Sequence, residues 1–205
     1  MNKLAIAFVA LAFVTISAIS QASNPRPARP KCNLTEATAP SVRGLRLGMS
    51  TQQLLASFPG SSKRKEMKDA VEKAKAATGN EAAYLVFDPA TDGDAQRFGG
   101  VESVSAGLNK GRVIDLTVQY GGATWSDIDQ WVAKLSESLK LQGAADWTAG
   151  PSENPNKVLR CEGIEIEAAI QGGGSSIRIR NTEDVKAVAE RTNAAEERKR
   201  REIKP

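Results

Sequence analysis

Between residues 164 and 180, apolar and charged side chains alternate with a period of two. This is the mark of strands with one face in a core and the other towards water. Ile164, Ile166 and Ala168 face one way and Glu165 and Glu167 the other. Gln171-Gly172-Gly173-Gly174 makes the turn. Ile177 and Ile179 return with Arg178 and Arg180 between them. Placing Ile170 opposite Ser175 sets Ile166 against Ile179, Glu167 against Arg178 and Glu165 against Arg180. One register satisfies both faces, and a slip by one residue would bury the charges. A chain with this hairpin is built around an antiparallel sheet.

A second hairpin is read over residues 101–120. Val104, Ala106 and Leu108 alternate on one strand; Ile114, Leu116, Val118 and Tyr120 alternate on the other. A three-residue loop, Asn109-Lys110-Gly111, would pair Leu108 with Arg112 and Ala106 with Ile114. A two-residue loop would put the apolar sets on opposite faces, so the pattern predicts the longer one. A further strand covers residues 83–88 and stops at Pro89.

Helices punctuate these strands. Ser50 is an N-cap with Gln53 completing a capping box, and Met49 and Leu54 are spaced for a hydrophobic staple. Leu54, Leu55 and Phe58 form the apolar stripe, and Pro59-Gly60 ends the helix. Residues 62–78 read as a charged helix with a thin edge of Met67, Val71 and Ala74, stopped by Gly79. Residues 126–141 are the strongest helix. Ser126 is its cap, Asp127 and Asp129 suit its first turn, and Gly143 is its stop. Ile128, Trp131, Val132, Leu135 and Leu139 make its apolar face. An irregular stretch with two prolines follows Trp147. From Thr182 a long polar helix runs towards the end, with Val185 and Val188 able to touch the body. Arg198, Lys199, Arg200 and Arg201 form its basic tail. A solvated helix end accounts for that tail, and contact with an anionic lipid or polymer is the alternative.

The expected architecture is α+β: short helices packed on an antiparallel sheet, with a C-terminal polar helix. Two helix-then-strands units follow in tandem, over residues 41–122 and 123–181, and the polar helix covers 182–205.

The N-terminus reads as an address. A positive start at Lys3, an uncharged apolar run over residues 4–19 and small residues at Ser20 and Ala22 spell a secretory signal peptide over residues 1–22. A spanning anchor needs about 20 apolar residues, more than this run supplies. Arg26, Arg29 and Lys31, which favour the cytoplasmic side, are what argues for retention. Residues 23–40 form a basic, Pro-rich arm. Export makes the only two cysteines, Cys32 and Cys161, a disulfide pair; two unpaired buried thiols are the alternative.

Cleavage removes only Lys3 among the charges, so the net charge falls from +4 to +3. So small an excess, in an exported chain, argues against nucleic acid as a partner. Histidine is absent, which removes Ser-His-Asp and Cys-His catalysis and every His-ligated zinc site. Carboxylate chemistry remains open. Asp88, Asp92, Asp94 and Asp115 are the clustered acids near strands. Asx turns explain the first three better than calcium does, because the spacing lacks the ligand ladder of an EF-hand loop. No cofactor, metal site or catalytic residue is assigned.

Residues 44–60, Gly-Leu-Arg-Leu-Gly-Met-Ser-Thr-Gln-Gln-Leu-Leu-Ala-Ser-Phe-Pro-Gly, resemble the Gly-Met-Ser/Thr helix start of the BamE/SmpA outer-membrane assembly lipoproteins. They also resemble the helix-plus-sheet modules of the β-lactamase-inhibitor-protein fold. Those families are exported and act by binding other proteins. The lipid-anchoring cysteine of the lipoproteins is missing, and no functional residue carries over. The expected function is an exported, non-catalytic module that binds another protein or an envelope component. The alternative is a carboxylate-dependent hydrolase of a cell-wall or sugar polymer.

Overall fold

The computed structural model describes residues 32–76, 83–122, 125–172 and 174–202. The leader, the arm as far as Lys31, the side chain of Ala74 and the Gly79 stop lie outside them.

The alternating segments form one antiparallel sheet of seven strands, ordered β1-β2-β3-β7-β6-β5-β4. The strands are β1 (Ala83–Phe87), β2 (Val101–Asn109), β3 (Arg112–Tyr120), β4 (Thr148–Ala149), β5 (Asn156–Arg160), β6 (Ile164–Gln171) and β7 (Gly174–Asn181). Helices α1 (Thr51–Ala56), α2 (Lys65–Ala76), α3 (Pro89–Asp92), α4 (Ile128–Leu139) and α5 (Thr182–Glu202), with 3-10 turns over Pro59–Lys63 and Ala144–Asp146, complete the described elements. The helix-then-strands order recurs, and the two halves merge into one sheet through the antiparallel pairing of β3 with β7.

The β6–β7 register is the one the alternation dictates. Ile166 faces Ile179, Glu165 faces Arg180, Glu167 faces Arg178, and Ile170 faces Ser175. Ile164, Ile166, Ile177 and Ile179 are almost wholly buried in the core. The charges stand on the other face, where Arg160 donates to Glu165 (3.0 Å), Arg180 pairs with the same carboxylate, and Asn156 donates to Glu167 (2.8 Å).

The β2–β3 hairpin departs from expectation. Asn109 pairs with Arg112, so the loop is the two residues Lys110 and Gly111, both at positive φ (49° and 72°). Such a turn matches the right-handed twist of its strands. A bulge restores the phase that the short loop would have broken: Leu108 pairs with Val113, Gly107 with Asp115, and Ile114 is the extra residue. Val113, Leu116 and Val118 therefore line the core, while Ile114 is buried outside that cluster.

Other boundaries move. Helix α1 ends at Ala56 with Ser57 as its C-cap, Pro59-Gly60 opens a 3-10 turn over Pro59–Lys63, and α2 begins at Lys65 and not at residue 62. The N-cap of α4 is Asp127, which accepts from the Asp129 amide, and not Ser126. The same helix stops at Lys140, in the left-handed region (φ 54°), before Gly143 is reached. The stretch after Trp147, read as irregular, contains β4 and β5; Leu159 of β5 pairs with Ile166 and is buried.

The N-terminal end of α1 is as the capping box predicts, with Gln53 N donating to Ser50 Oγ (3.2 Å) and Ser50 N to Gln53 Oε1 (2.9 Å). Phe58 stacks on Phe87 and Phe98 at 4.2 and 4.8 Å between centroids. Met67 and Val71 are the buried edge of α2. Cys32 and Cys161 form a disulfide, tying the segment before the first helix to the β5–β6 turn.

The second sheet face carries α5 across one end. Val185, Val188 and Ala189 lie over Tyr84 and Ile114, and Asn109 is held between Asp184 and Arg191. Asn181 caps the helix through the amides of Glu183 and Asp184.

Candidate functional site

One face of α4 builds the wall of an open cleft of about 570 Å³. Trp131, Lys134, Leu135, Ser138 and Leu139 recur at helical spacing and all line it. Opposite them, a tight turn presents Arg43: Val42 and Leu45 exchange two backbone hydrogen bonds of 2.9 Å, with Arg43 at φ 53° and Gly44 at φ 80° between them. Tyr120, the last residue of β3, and Trp125, just before α4, complete the floor.

The rings are packed against one another. Tyr120 meets Trp131 edge-to-face at 5.4 Å, and Trp125 meets Trp131 at 5.5 Å with a 35° tilt. Trp131 donates its indole N–H to the carbonyl of Ser176 (3.1 Å). That bond locks the ring, which belongs to the core and is only 6% exposed, so little of it faces the cleft. Of the five Trp and Tyr residues in the chain, three gather here. Burial pushes the Tyr120 hydroxyl pKa up from 10.0, and the Arg43 guanidinium pulls against that shift.

The cations are placed on both sides. Arg43 Nη2 donates to the Gly99 carbonyl (3.0 Å), and Arg97 Nε donates to the Arg43 carbonyl (2.9 Å). Lys134 pairs with Glu137 at 2.9 Å, both side chains more than half exposed. An exposed pair of this kind contributes about 0–1 kcal/mol and yields readily to a competing anion. No aspartate or glutamate lines the cleft among the described residues.

The candidate carboxylates are not brought to one place. Asp92 is buried, accepting from Arg64 (2.7 Å) and from the Asp88 amide (3.0 Å). Asp88 caps α3 through the Ala90 amide and Asp94 accepts from the Gln96 amide, as Asx turns do. Asp115 lies on the opposite sheet face, bound to Arg178. Among the described residues, no group of three His, Cys, Asp or Glu could hold a metal, and no helix is long and apolar enough to cross a membrane.

Sequence reasoning saw Trp131 as core, which it is, and Tyr120 as an alternating strand residue, and passed over Arg43 and Trp125. Two local signals were there to read. Aromatic residues flank Gly121 and Gly122 at a strand-to-helix junction, and Arg43-Gly44 is a tight-turn pair. Neither reveals that the two segments meet.

The chain matches no family model, no curated protein and no solved structure. The resemblance of residues 44–60 to the assembly lipoproteins and the inhibitor-protein fold therefore rests on those residues alone.

Proposed function

We propose that this protein is an exported, non-catalytic binding module that takes an envelope component into the cleft between α4 and the Arg43 turn. The observation that carries this reading is the gathering of Tyr120, Trp125 and Trp131 with Arg43 and Lys134 around an open concavity. Ligand sites combine apolar and aromatic walls with a few placed polar groups in this way. The disulfide supports an oxidising compartment, in keeping with the leader over residues 1–22. Asp88, Asp92, Asp94 and Asp115 hold separate structural roles, so these four do not form a paired acid and base for the hydrolase alternative. Nor does α5 add a strongly cationic surface. Between Thr182 and Glu202 six basic residues meet six acidic ones, and Glu196–Arg200 and Glu197–Arg201 pair along the helix.

The test is tryptophan fluorescence of the oxidised chain starting at Ser23, titrated with solubilised envelope glycans and with peptides. Binding that Trp125→Ala abolishes supports the reading. Ligands that bind equally well to Trp125→Ala and Tyr120→Ala, or none at all across both sets, overturn it.

A further inference from the structure

We infer that the cleft is a subsite for a carboxylated pyranose, with the aromatic side chains meeting the sugar's C–H faces and Arg43 reading the carboxylate. This rests on the binding-module reading above and gives it a ligand class.

The rings supply the first half of the argument. Trp131 spends its sole donor on Ser176 and is 6% exposed, so it backs the site, and the half-buried Trp125 and Tyr120 beside it are the rings a ligand can reach. Flat apolar rings bordered by Ser41 and Ser138, whose hydroxyls both donate and accept, suit a ring that is apolar on its faces and hydroxylated at its rim. The volume of about 570 Å³ is in the range of small-ligand sites.

The cations supply the second half. Arg43 occupies a left-handed backbone conformation that disfavours any side chain other than glycine, asparagine or aspartate. Strain of this kind persists where the surroundings hold it, and it gathers at ligand clamps. The surroundings do hold it: Gly99 anchors one edge of the guanidinium and Arg97 anchors the Arg43 carbonyl. The remaining guanidinium N–H groups have no partner recorded among the described residues, and a planar fork matches a carboxylate with two parallel bonds. Lys134 adds a second positive charge from α4, and no acidic side chain lines the space.

Two rival ligands fit less well. An extended peptide adds to a free strand edge, but Tyr120 ends β3, which is paired on both sides; the free edges belong to β1 and β4. Neither contributes to the cleft. A phosphate also suits a guanidinium fork, but the helix N-terminus that would add backbone amides to it is not in the cleft: α4 begins with Asp127 and Asp129, and the cleft runs from Trp131 to Leu139.

The experiment is calorimetric titration of the oxidised chain with a tetramer of galacturonic acid and with its carboxyl-reduced, neutral galactose counterpart. Arg43→Gln, Lys134→Gln and Trp125→Ala are titrated alongside, each checked for native circular dichroism. The charged tetramer should bind, weaken with added salt, and lose roughly tenfold to a hundredfold in Arg43→Gln, the worth of a charge-assisted hydrogen-bonded contact. Trp125→Ala should lose it altogether. Equal affinity for the neutral tetramer, or binding untouched by Arg43→Gln, overturns the carboxylate assignment and leaves the binding-module reading standing. So does a cleft that ignores both tetramers but binds a peptide in a Trp125-dependent way. A chain that binds neither sugars nor peptides overturns both readings.

Discussion

Asp115 on β3 takes a two-pronged bond from Arg178 on β7, with Nε donating at 2.9 Å to Oδ1 while Nη2 reaches Oδ2. The pair spans the one strand junction that fuses the two halves of the sheet. Asp115 is 3% exposed, whereas the Arg178 side chain keeps 36% of its surface in water. The hydrogen bond to Asp115 pushes the Arg178 guanidinium further up than its already high ordinary value, against the pull of burial.

Arg178→Ala should leave a buried carboxylate without its partner. Full burial of both charges would put the loss at about 3–5 kcal/mol, and the exposure of the arginine brings it nearer to about 2 kcal/mol. Replacing both, as Asp115→Asn with Arg178→Met, removes the stranded charge and should recover most of the loss. Urea denaturation followed by circular dichroism measures this. A double variant no more stable than Arg178→Ala would show that packing, and not charge, holds the seam.

The Cys32–Cys161 bond closes a loop of 129 residues in sequence separation. The chain-entropy model gives such a loop about 4–5 kcal/mol of stabilisation, through constraint of the unfolded chain. Cys32→Ser with Cys161→Ser should therefore lower the urea midpoint sharply, and dithiothreitol should do the same to the native chain but not to the double variant. Neither cysteine lines the cleft. The double variant should accordingly keep its cleft ligand at temperatures where it stays folded.

The contrast between β6–β7 and the cleft shows what a sequence can carry. Ile166 opposite Ile179 and Glu165 opposite Arg180 are both local, so alternation on each strand chose one register. The β2–β3 turn failed for an equally local reason. The same alternation admits a three-residue loop, or a two-residue loop plus a bulge, and the twist-matched turn at Lys110-Gly111 decides between them. β5 was hidden because Asn156 and Lys157 follow two prolines and its apolar residues, Val158 and Leu159, are adjacent and fall on opposite faces. The cleft is the extreme case. Arg43, Tyr120, Trp125 and Trp131 sit in segments that meet only once the sheet has formed, and Trp131 on its apolar helix stripe is core that also borders the cleft.

Among the described residues, three side chains hold positive φ where glycine or asparagine would be easier: Arg43, Lys110 and Lys140. Lys140 ends α4 with its amide bonded to the carbonyls of Ser136 and Glu137, so Lys140→Gly should raise stability by about 1 kcal/mol. Lys110→Asn should gain about 0.5–1 kcal/mol in the two-residue turn. Arg43→Gly should gain a similar amount, about 1 kcal/mol, while losing the carboxylated ligand. Thermal denaturation and the same calorimetric titration measured side by side would separate the three. A drop in stability for Arg43→Gly would mean that the guanidinium bond to Gly99 outweighs the backbone strain.

Tyr120 gives a pH reading of the cleft itself. Burial raises its hydroxyl pKa above 10.0 and Arg43 works against that rise. Well below pH 10 the hydroxyl is protonated whether the chain is folded or not, so it adds no slope to stability there. Between the unfolded value and the raised folded one, the unfolded chain binds fewer protons, and stability falls as pH climbs. Phenolate absorbance should therefore show a component titrating later than a free tyrosine, absent in Tyr120→Phe, and that variant should lose less stability than the native chain over the same alkaline range. Arg43→Gln removes the charge that favours the phenolate and should delay the component further. An unchanged titration in Arg43→Gln would place the guanidinium too far from Tyr120 to serve a ligand lying against that ring.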